Sequence, residues 1–413
     1  MKIKRRYIKR IKKSKTNEVK KINYFKIILI QSLILILIYF YFKIEVEQNK
    51  LIYRKLNNLN QNVNNTLDLD MDLFKKKINE IYQNTGVVNI NEIESDINKG
   101  RPWDKNNFRQ NAINLGFHID NKYILRCMLT ITSIMDSQSP NTKVRFHFAL
   151  IYDFDAEQML KIYSLRKRVR EDVEFNFYNA RRVEKDLKGL SIKGPGLASK
   201  LLLPQLVPDD VERLFILDTG DLMVIKDLTE VYNWDLKGAL YAGPPAGSVG
   251  RFAVIHKKVF DIYISAGSFL VDVKKVKEEN MFEKFIKHKN AYRTYNSVQD
   301  LLNDVAFGRI TYFPFKFGMI SPYQNDKNSE QAKQDNTFSS YMKKIKLQEI
   351  FKFLPKDETE FLRMGYSPYV IHHMHGKWMV GKDLTVYRRL AQYYIKYAGI
   401  WDEMCKEFPG YCK

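Results

Sequence analysis

The chain has 413 residues, 45% of them hydrophobic and 28% charged, enough for one large globular domain or two small ones once the ends are set aside. A formal net charge of +21 would suit a nucleic-acid partner if basic and aromatic side chains alternated over a folded face. Much of the excess instead lies in residues 1–26, MKIKRRYIKRIKKSKTNEVKKINYFK, so it is partly a local signal and not a property of the fold, and nucleic acid is not the expected partner.

That basic block runs straight into IILIQSLILILIYFYF, residues 27–42, with no charge and only Gln31 and Ser32 as strongly polar side chains. As a helix the run is slightly short of the roughly 20 residues that cross a bilayer. Tyr24, Phe25, Tyr39 and Tyr41 suit the interfaces, while Lys26 and Lys43 can snorkel outward. A buried core helix is the plainer alternative, but a helix apolar on every face beside so basic a block fits the positive-inside rule better. A cleaved signal peptide is the other, and no small-residue cleavage site follows Phe42. The expected order is a cytoplasmic tail (1–26), one transmembrane helix (27–42), and the rest of the chain in the lumen of the Golgi or endoplasmic reticulum. The sequon Asn64-Asn65-Thr66 is compatible with that side.

Residues 43–102 are expected as a lumenal stem. Ile52, Leu56, Leu59 and Val63 alternate spacings of four and three, which fits a helical stem that self-associates into a homodimer, and equally a flexible spacer. Arg101-Pro102-Trp103 then marks entry into the folded part, 103–413. Of the three cysteines, Cys405 and Cys412 frame CKEFPGYC and can close a short disulfide in an oxidising compartment. Cys127 sits in an apolar helical pattern and reads as a buried thiol.

Beyond Trp103 strand and helix patterns alternate, which predicts an α/β domain with a largely parallel sheet. The predicted order is a strand at 113–119, a helix at 124–135, a strand at 144–151, a helix at 156–170, a strand at 173–178, a helix at 198–206 stopped by Pro208, and a strand at 214–217. A strand at 239–242, a loop at 243–247, a strand at 269–273, one charged helix at 274–287 and a helix at 298–307 follow. Residues 324–340, QNDKNSEQAKQDNTFSS, lack apolar periodicity and read as a mobile insertion. In open α/β sheets ligands gather outside the carboxyl ends of the strands, which is where Asp120, Tyr123 and Asp218 fall.

The strand at 214–217 is broken by Asp218-Thr219-Gly220-Asp221 before apolar residues resume. Two unpaired carboxylates at the end of a core strand would be strongly destabilising. A divalent cation, Mg²⁺ or Mn²⁺, sharing oxygens with a phosphorylated substrate would account for them; so would an ordinary turn. Near the other end, YVIHHMHGKWMVGK (369–382) holds His372, His373 and His375. In a strand His373 and His375 share one face and can offer a metal ligand and a phosphate donor, with Gly376 and Lys377 adding close backbone approach and a cation. Zinc lacks a nearby cysteine pair; a surface histidine cluster is the alternative.

Read in order, FHIDNKY, LASKLLLP, LFILDTGDLMVIKDL, ISAGSFLVDVKK, VQDLLN and IHHMHGK resemble the successive motifs of glycosyltransferase family 8, over about residues 111–382. The resemblance implies a GT-A nucleotide-sugar-binding fold, a Rossmann-like mixed sheet flanked by helices. It implies a retaining enzyme that uses a UDP-sugar and Mn²⁺ or Mg²⁺, with a glycan or glycoprotein acceptor in the secretory pathway. Carried over position by position, His118, Asp120 and Tyr123 would contact the uridine. Lys200, where the family usually has Arg, would touch the donor near its diphosphate and assist catalysis, and Gly267 would line the donor site. Asp218, Asp221 and His373 would hold the metal. His375 and Gly376, with Lys377 or Lys382 as the phosphate-binding lysine, would bind phosphate, and Gln299 with Asp300 would lie beneath the sugar as catalytic groups.

The sequence departs from the family pattern at four points. Asp-x-x-Asp replaces Asp-x-Asp, which a one-residue bulge at Gly220 with φ > 0 would absorb. Val298 stands for Asp, Ser265-Ala266 for Asn-Ser, and no Lys-Pro-Trp follows the histidines. These departures define the alternative function, an inactive GT-A-like membrane protein that binds a nucleotide sugar or glycan without turnover.

Overall fold

In the computed structural model the apolar runs between residues 112 and 217 become the centre of a sheet. The structure describes residues 71–98, 108–109, 112–119, 123–150, 155–181, 195–220, 222–244, 254–255, 258–259, 263–291, 297–313, 317, 319–320, 371–373 and 385–409. In chain order the elements are α1 (Met71–Thr85), β1 (Val87–Asn89), α2 (Ile90–Asn98), β2 (Ala112–Ile119), α3 (Ile124–Ser137), β3 (Lys143–Leu150), α4 (Ala156–Arg168), β4 (Val173–Asn179), α5 (Pro195–Leu206), β5 (Arg213–Leu217) and β6 (Leu222–Val224). They continue with α6 (Thr229–Tyr232), β7 (Tyr241–Gly243), β8 (Val254–Ile255), β9 (Lys258–Val259), β10 (Ser268–Asp272), α7 (Val273–Glu278), α8 (Met281–Ala291), α9 (Val298–Val305), β11 (Ile310–Tyr312), β12 (Met319–Ile320), β13 (Ile371–His373), α10 (Thr385–Tyr397) and α11 (Trp401–Glu407).

Eight strands pair in the order β1-β4-β3-β2-β5-β10-β7-β11. The run β4-β3-β2-β5 is parallel, whereas β10 lies antiparallel between β5 and β7, and β1 is antiparallel to β4. The sheet is therefore mixed rather than uniformly parallel. β3 and β4 are buried along nearly their whole length, as expected of strands covered on both faces. On one face Phe117, Phe146, Phe148, Phe175 and Phe177 stack with centroids as close as 4.9 Å, under residues of α1, α3, α4 and α10. On the other, Leu214 and Ile216 meet α5, α7, α8 and α9 through Leu201, Leu203, Val276, Phe285 and Leu301. A second sheet, β12-β13-β6, is separate from the first.

Several expectations change. The stem was expected to reach residue 102, but Phe74, Ile78 and Tyr82 of α1 are core residues, and Val87, Val88 and Asn89 pair with Tyr178, Phe177 and Asn176. Residues 71–98 thus belong to the folded unit, because their apolar i, i+4, i+8 face has a sheet edge to cover. The single charged helix at 274–287 is two helices, parted at Asn280, whose φ is 48°. Val273 opens α7 instead of closing β10, since the Asp272 side chain accepts from Lys275 N at 3.1 Å and caps the helix there.

Cys127 is free and buried, and Cys405 is disulfide-bonded; Cys412 lies outside the described residues. Among the described residues no helix is long and apolar enough to cross a membrane. The run at 27–42, the heptad pattern at 52–63, the sequon and the segment 324–340 all lie outside them.

Candidate active site

β5 carries Leu214, Phe215, Ile216 and Leu217 through the core fully buried and then delivers Asp218 to the sheet's carboxyl edge. There the chain meets the start of β10: Ser268 pairs with Leu217, and Asp218 N donates to Gly267 O at 2.8 Å. The aspartate turn and the Ser265–Gly267 loop are consequently one surface. Lys200 of α5, only 2% exposed, reaches between them, its ammonium paired with the Asp218 carboxylate and donating to Ala266 O at 3.2 Å. A buried ammonium is tolerated when a carboxylate and a carbonyl both face it.

Thr219 Oγ1 donates to the backbone carbonyl of His118, fixing the turn to the end of β2. Gly220 has φ 82°, the conformation expected for the bulge, and a Cβ on it would lie 2.6 Å from Arg126 Cβ. Only glycine fits that backbone beside that helix. The Arg126 guanidinium in turn lies over two rings, 5.2 Å from the Tyr123 centroid and 4.6 Å from that of Phe408. Tyr123 itself is exposed at the start of α3.

β6, which resumes after residue 221, is fastened to α3: Thr130 Oγ1 donates to Leu222 O at 2.9 Å, and Val224 N donates to Ser133 Oγ at 3.1 Å. Its outer edge pairs with β13, with His373 opposite Leu222 and Ile371 opposite Val224. The histidine segment thereby reaches, through its backbone, the residue directly after Asp221. Asp227 further along is a turn carboxylate, accepting from Ser139 N and Thr229 N at 2.7 Å each. Partial burial works to raise its pKa, but hydrogen bonds from Thr229, Ser139 and Thr142 outweigh that and hold it below the usual carboxylate value.

The third side is the start of α9. Ser297 caps it by accepting from Asp300 N at 3.2 Å, and Asp300, 3% exposed, sits in the first turn. Gln299 Oε1 accepts from Ala266 N at 3.1 Å, and Asn303 holds Ile264 at both its N–H and its carbonyl, at 2.8 and 2.9 Å. α9 is thus stitched to the same loop that carries Gly267.

Of the residues expected at a site, the structure brings together Lys200, Asp218, Gly267, Gln299 and Asp300, sets the backbone of His118 against Thr219, and aligns the backbone of His373 beside Leu222. Tyr123 joins through Arg126. Asp120, Asp221, His375, Gly376 and Lys377 lie outside the described residues. Among the described residues no group of three His, Cys, Asp or Glu side chains gathers to hold a metal. A cavity of about 1100 Å³ opens elsewhere, beside Ala112, Asn114, Asp210 and Tyr232 at the opposite end of β2, and none of the expected site residues lines it. Sequence reasoning missed Arg126, Thr219, Tyr263 and Asn303; Tyr263, two residues before the quoted Ser265-Ala266-Gly267, was the nearest signal.

Comparison with known proteins agrees with this geometry. A family model described as glycosyl transferase family 8 matches residues 114–346, more than half of the chain and up to but not including the histidine segment. No curated protein matches. The galactosyltransferase LgtC, solved with donor and acceptor sugar analogs, is similar at a TM-score of 0.50 and 16% identity, over 70% of this chain and 95% of that one. The bifunctional glycosyltransferase WbbM, in its apo structure, is similar at a TM-score of 0.52 and 17% identity, over 72% of this chain and 52% of that one. At such identities the likeness is one of fold.

Proposed function

The chain belongs to glycosyl transferase family 8 and is a glycosyltransferase, and from that premise we propose a membrane-anchored retaining enzyme that moves a sugar from a UDP-sugar to a glycan or glycoprotein in the secretory pathway. One observation carries the reading: the antiparallel pairing of β13 with β6 sets His373 opposite Leu222, so segments about 150 residues apart meet at the aspartate turn. A turn with no further purpose would not need the histidine segment beside it.

Asp218, Asp221 and His373 would hold a divalent cation. Two carboxylates and an imidazole suit Mn²⁺ or Mg²⁺, and the Asp218 end of the set is already held in place by Lys200. The chemistry such an ion supplies when bound is neutralisation of the donor diphosphate. The chain's own residues do the rest. Lys200 adds positive charge at the aspartate turn, and Lys377 adds it from the histidine segment. His118, Asp120 and Tyr123 bind the uridine, Gly267 lets the donor approach the backbone, and His375 and Gly376 contact phosphate. Gln299 and Asp300 stabilise positive charge developing on the sugar, consistent with front-face attack and retention.

The basic block and the apolar run at 27–42 support a single-pass anchor with the catalytic domain lumenal, in the Golgi or endoplasmic reticulum. The heptad spacing at 52–63 supports a homodimer through the stem. An inactive nucleotide-sugar-binding protein is the second reading, favoured by Asp-x-x-Asp. Incubation with a panel of UDP-sugars and Mn²⁺ separates the two: release of UDP, abolished by chelation, is expected, and donor binding without release would support the second.

A further inference from the structure

We propose that Tyr263 is a positioning residue whose hydroxyl sets the orientation of both Asp300 and Gln299; the assignment rests on the catalytic reading given above. Tyr263 is fully buried. Its O–H donates to Asp300 Oδ1, and its oxygen accepts from Gln299 Nε2 at 3.4 Å. Gln299 Oε1 meanwhile accepts from Ala266 N.

The polarity of this chain has one solution. The Ala266 amide can only donate, which turns the Gln299 carbonyl toward it and the Gln299 amide toward Tyr263. Tyr263 has a single hydroxyl proton, and the Gln299 amide nitrogen can only donate to its oxygen, so that proton goes to Asp300 Oδ1. Burial first, and then the bond to Asp300, raise the Tyr263 pKa, so it stays a neutral donor. Asp300 is nearly inaccessible, lies in the first turn of α9, and its Oδ1 accepts this hydroxyl.

The ring has separate support. Tyr263 N donates to Tyr312 Oη at 2.9 Å, and the neighbouring Ile264 is gripped at both ends by Asn303. Removing the hydroxyl should leave the loop where it is while taking one hydrogen bond each from Asp300 and Gln299, which makes Tyr263→Phe an informative probe.

In the full-length protein Tyr263→Phe is expected to lower kcat about tenfold to a hundredfold, with KM for the UDP-sugar and affinity for UDP little changed. If Tyr263 acts through Asp300, adding Tyr263→Phe to Asp300→Asn should change kcat by less than about threefold. A parent-like kcat in Tyr263→Phe overturns the assignment, as does full multiplication of the two effects or a loss of UDP affinity matching the loss of kcat. Should the phenylalanine variant not fold, 3-fluorotyrosine at this position keeps the bond while strengthening the donor. An altered kcat at unchanged UDP affinity then supports the role, and an unaltered kcat rejects it. A parent protein that releases no UDP from any UDP-sugar would remove the catalytic reading itself, and the assignment with it.

Discussion

Gly220 joins sequence to site at a single residue. The extra residue in Asp-x-x-Asp would turn the second carboxylate to the other side of an extended chain, and Gly220, with φ 82°, has the conformation that the proposed one-residue bulge needs. The packing of Arg126 against the glycine leaves no room for a side chain. Gly220→Ala should therefore destabilise the protein by roughly 1–3 kcal/mol and weaken Mn²⁺-dependent UDP binding at least about tenfold. Thermal unfolding together with titration of UDP checks both, and a variant matching the parent in each would mean that the bulge plays no part in the site. The Lys200–Asp218 pair belongs at the same scale. Lys200 is paired with Asp218 and donates to Ala266 O, which sets its charge at the aspartate turn.

At the level of elements, what could be read in advance was what local pattern determines. β2, β3, β4 and β5 carry alternating or consecutive apolar and aromatic residues, and α3, α4 and α9 have a clear apolar stripe or cap, so their order was legible. β6, β11 and β13 have three residues each, and they exist because a partner strand is there to pair with. No local signal announces that. β1 was missed for the same reason: Val87–Asn89 is too short to be read alone, and Asn89 is fixed by Glu174 and Asn176 across the sheet. The break at Asn280 was hidden because neither Gly nor Pro marks it. Within the site, the aspartates stood out as two carboxylates at the end of a core strand and the Gln-Asp pair came with the family resemblance, whereas Tyr263 acts on Asp300 from 37 positions away and Arg126 meets Phe408 from across the chain. Those contacts are products of the fold.

For the whole molecule the proposal joins a lumenal catalytic domain to a short basic tail. Residues 71–98 belong to the folded unit, so the proposed stem covers at most residues 43–70. On the proposed topology, in which the positive charge flanking residues 27–42 would keep the amino terminus outside the lumen, protease added to sealed microsomes should spare every fragment from this unit. Digestion of the unit without detergent would reverse the orientation.

The account stands or falls on whether the aspartate turn and the histidine segment form one metal-dependent donor site. Calorimetric titration of UDP into the full-length protein, with Mn²⁺ and with a chelator, measures this most directly. UDP should bind only with Mn²⁺, and Asp221→Ala and His373→Ala should each weaken that binding by roughly a hundredfold, about 3 kcal/mol, while circular dichroism stays that of the parent. UDP binding that is equally strong in chelator, or unchanged in both variants, would contradict it and leave the paired aspartates as no more than a turn.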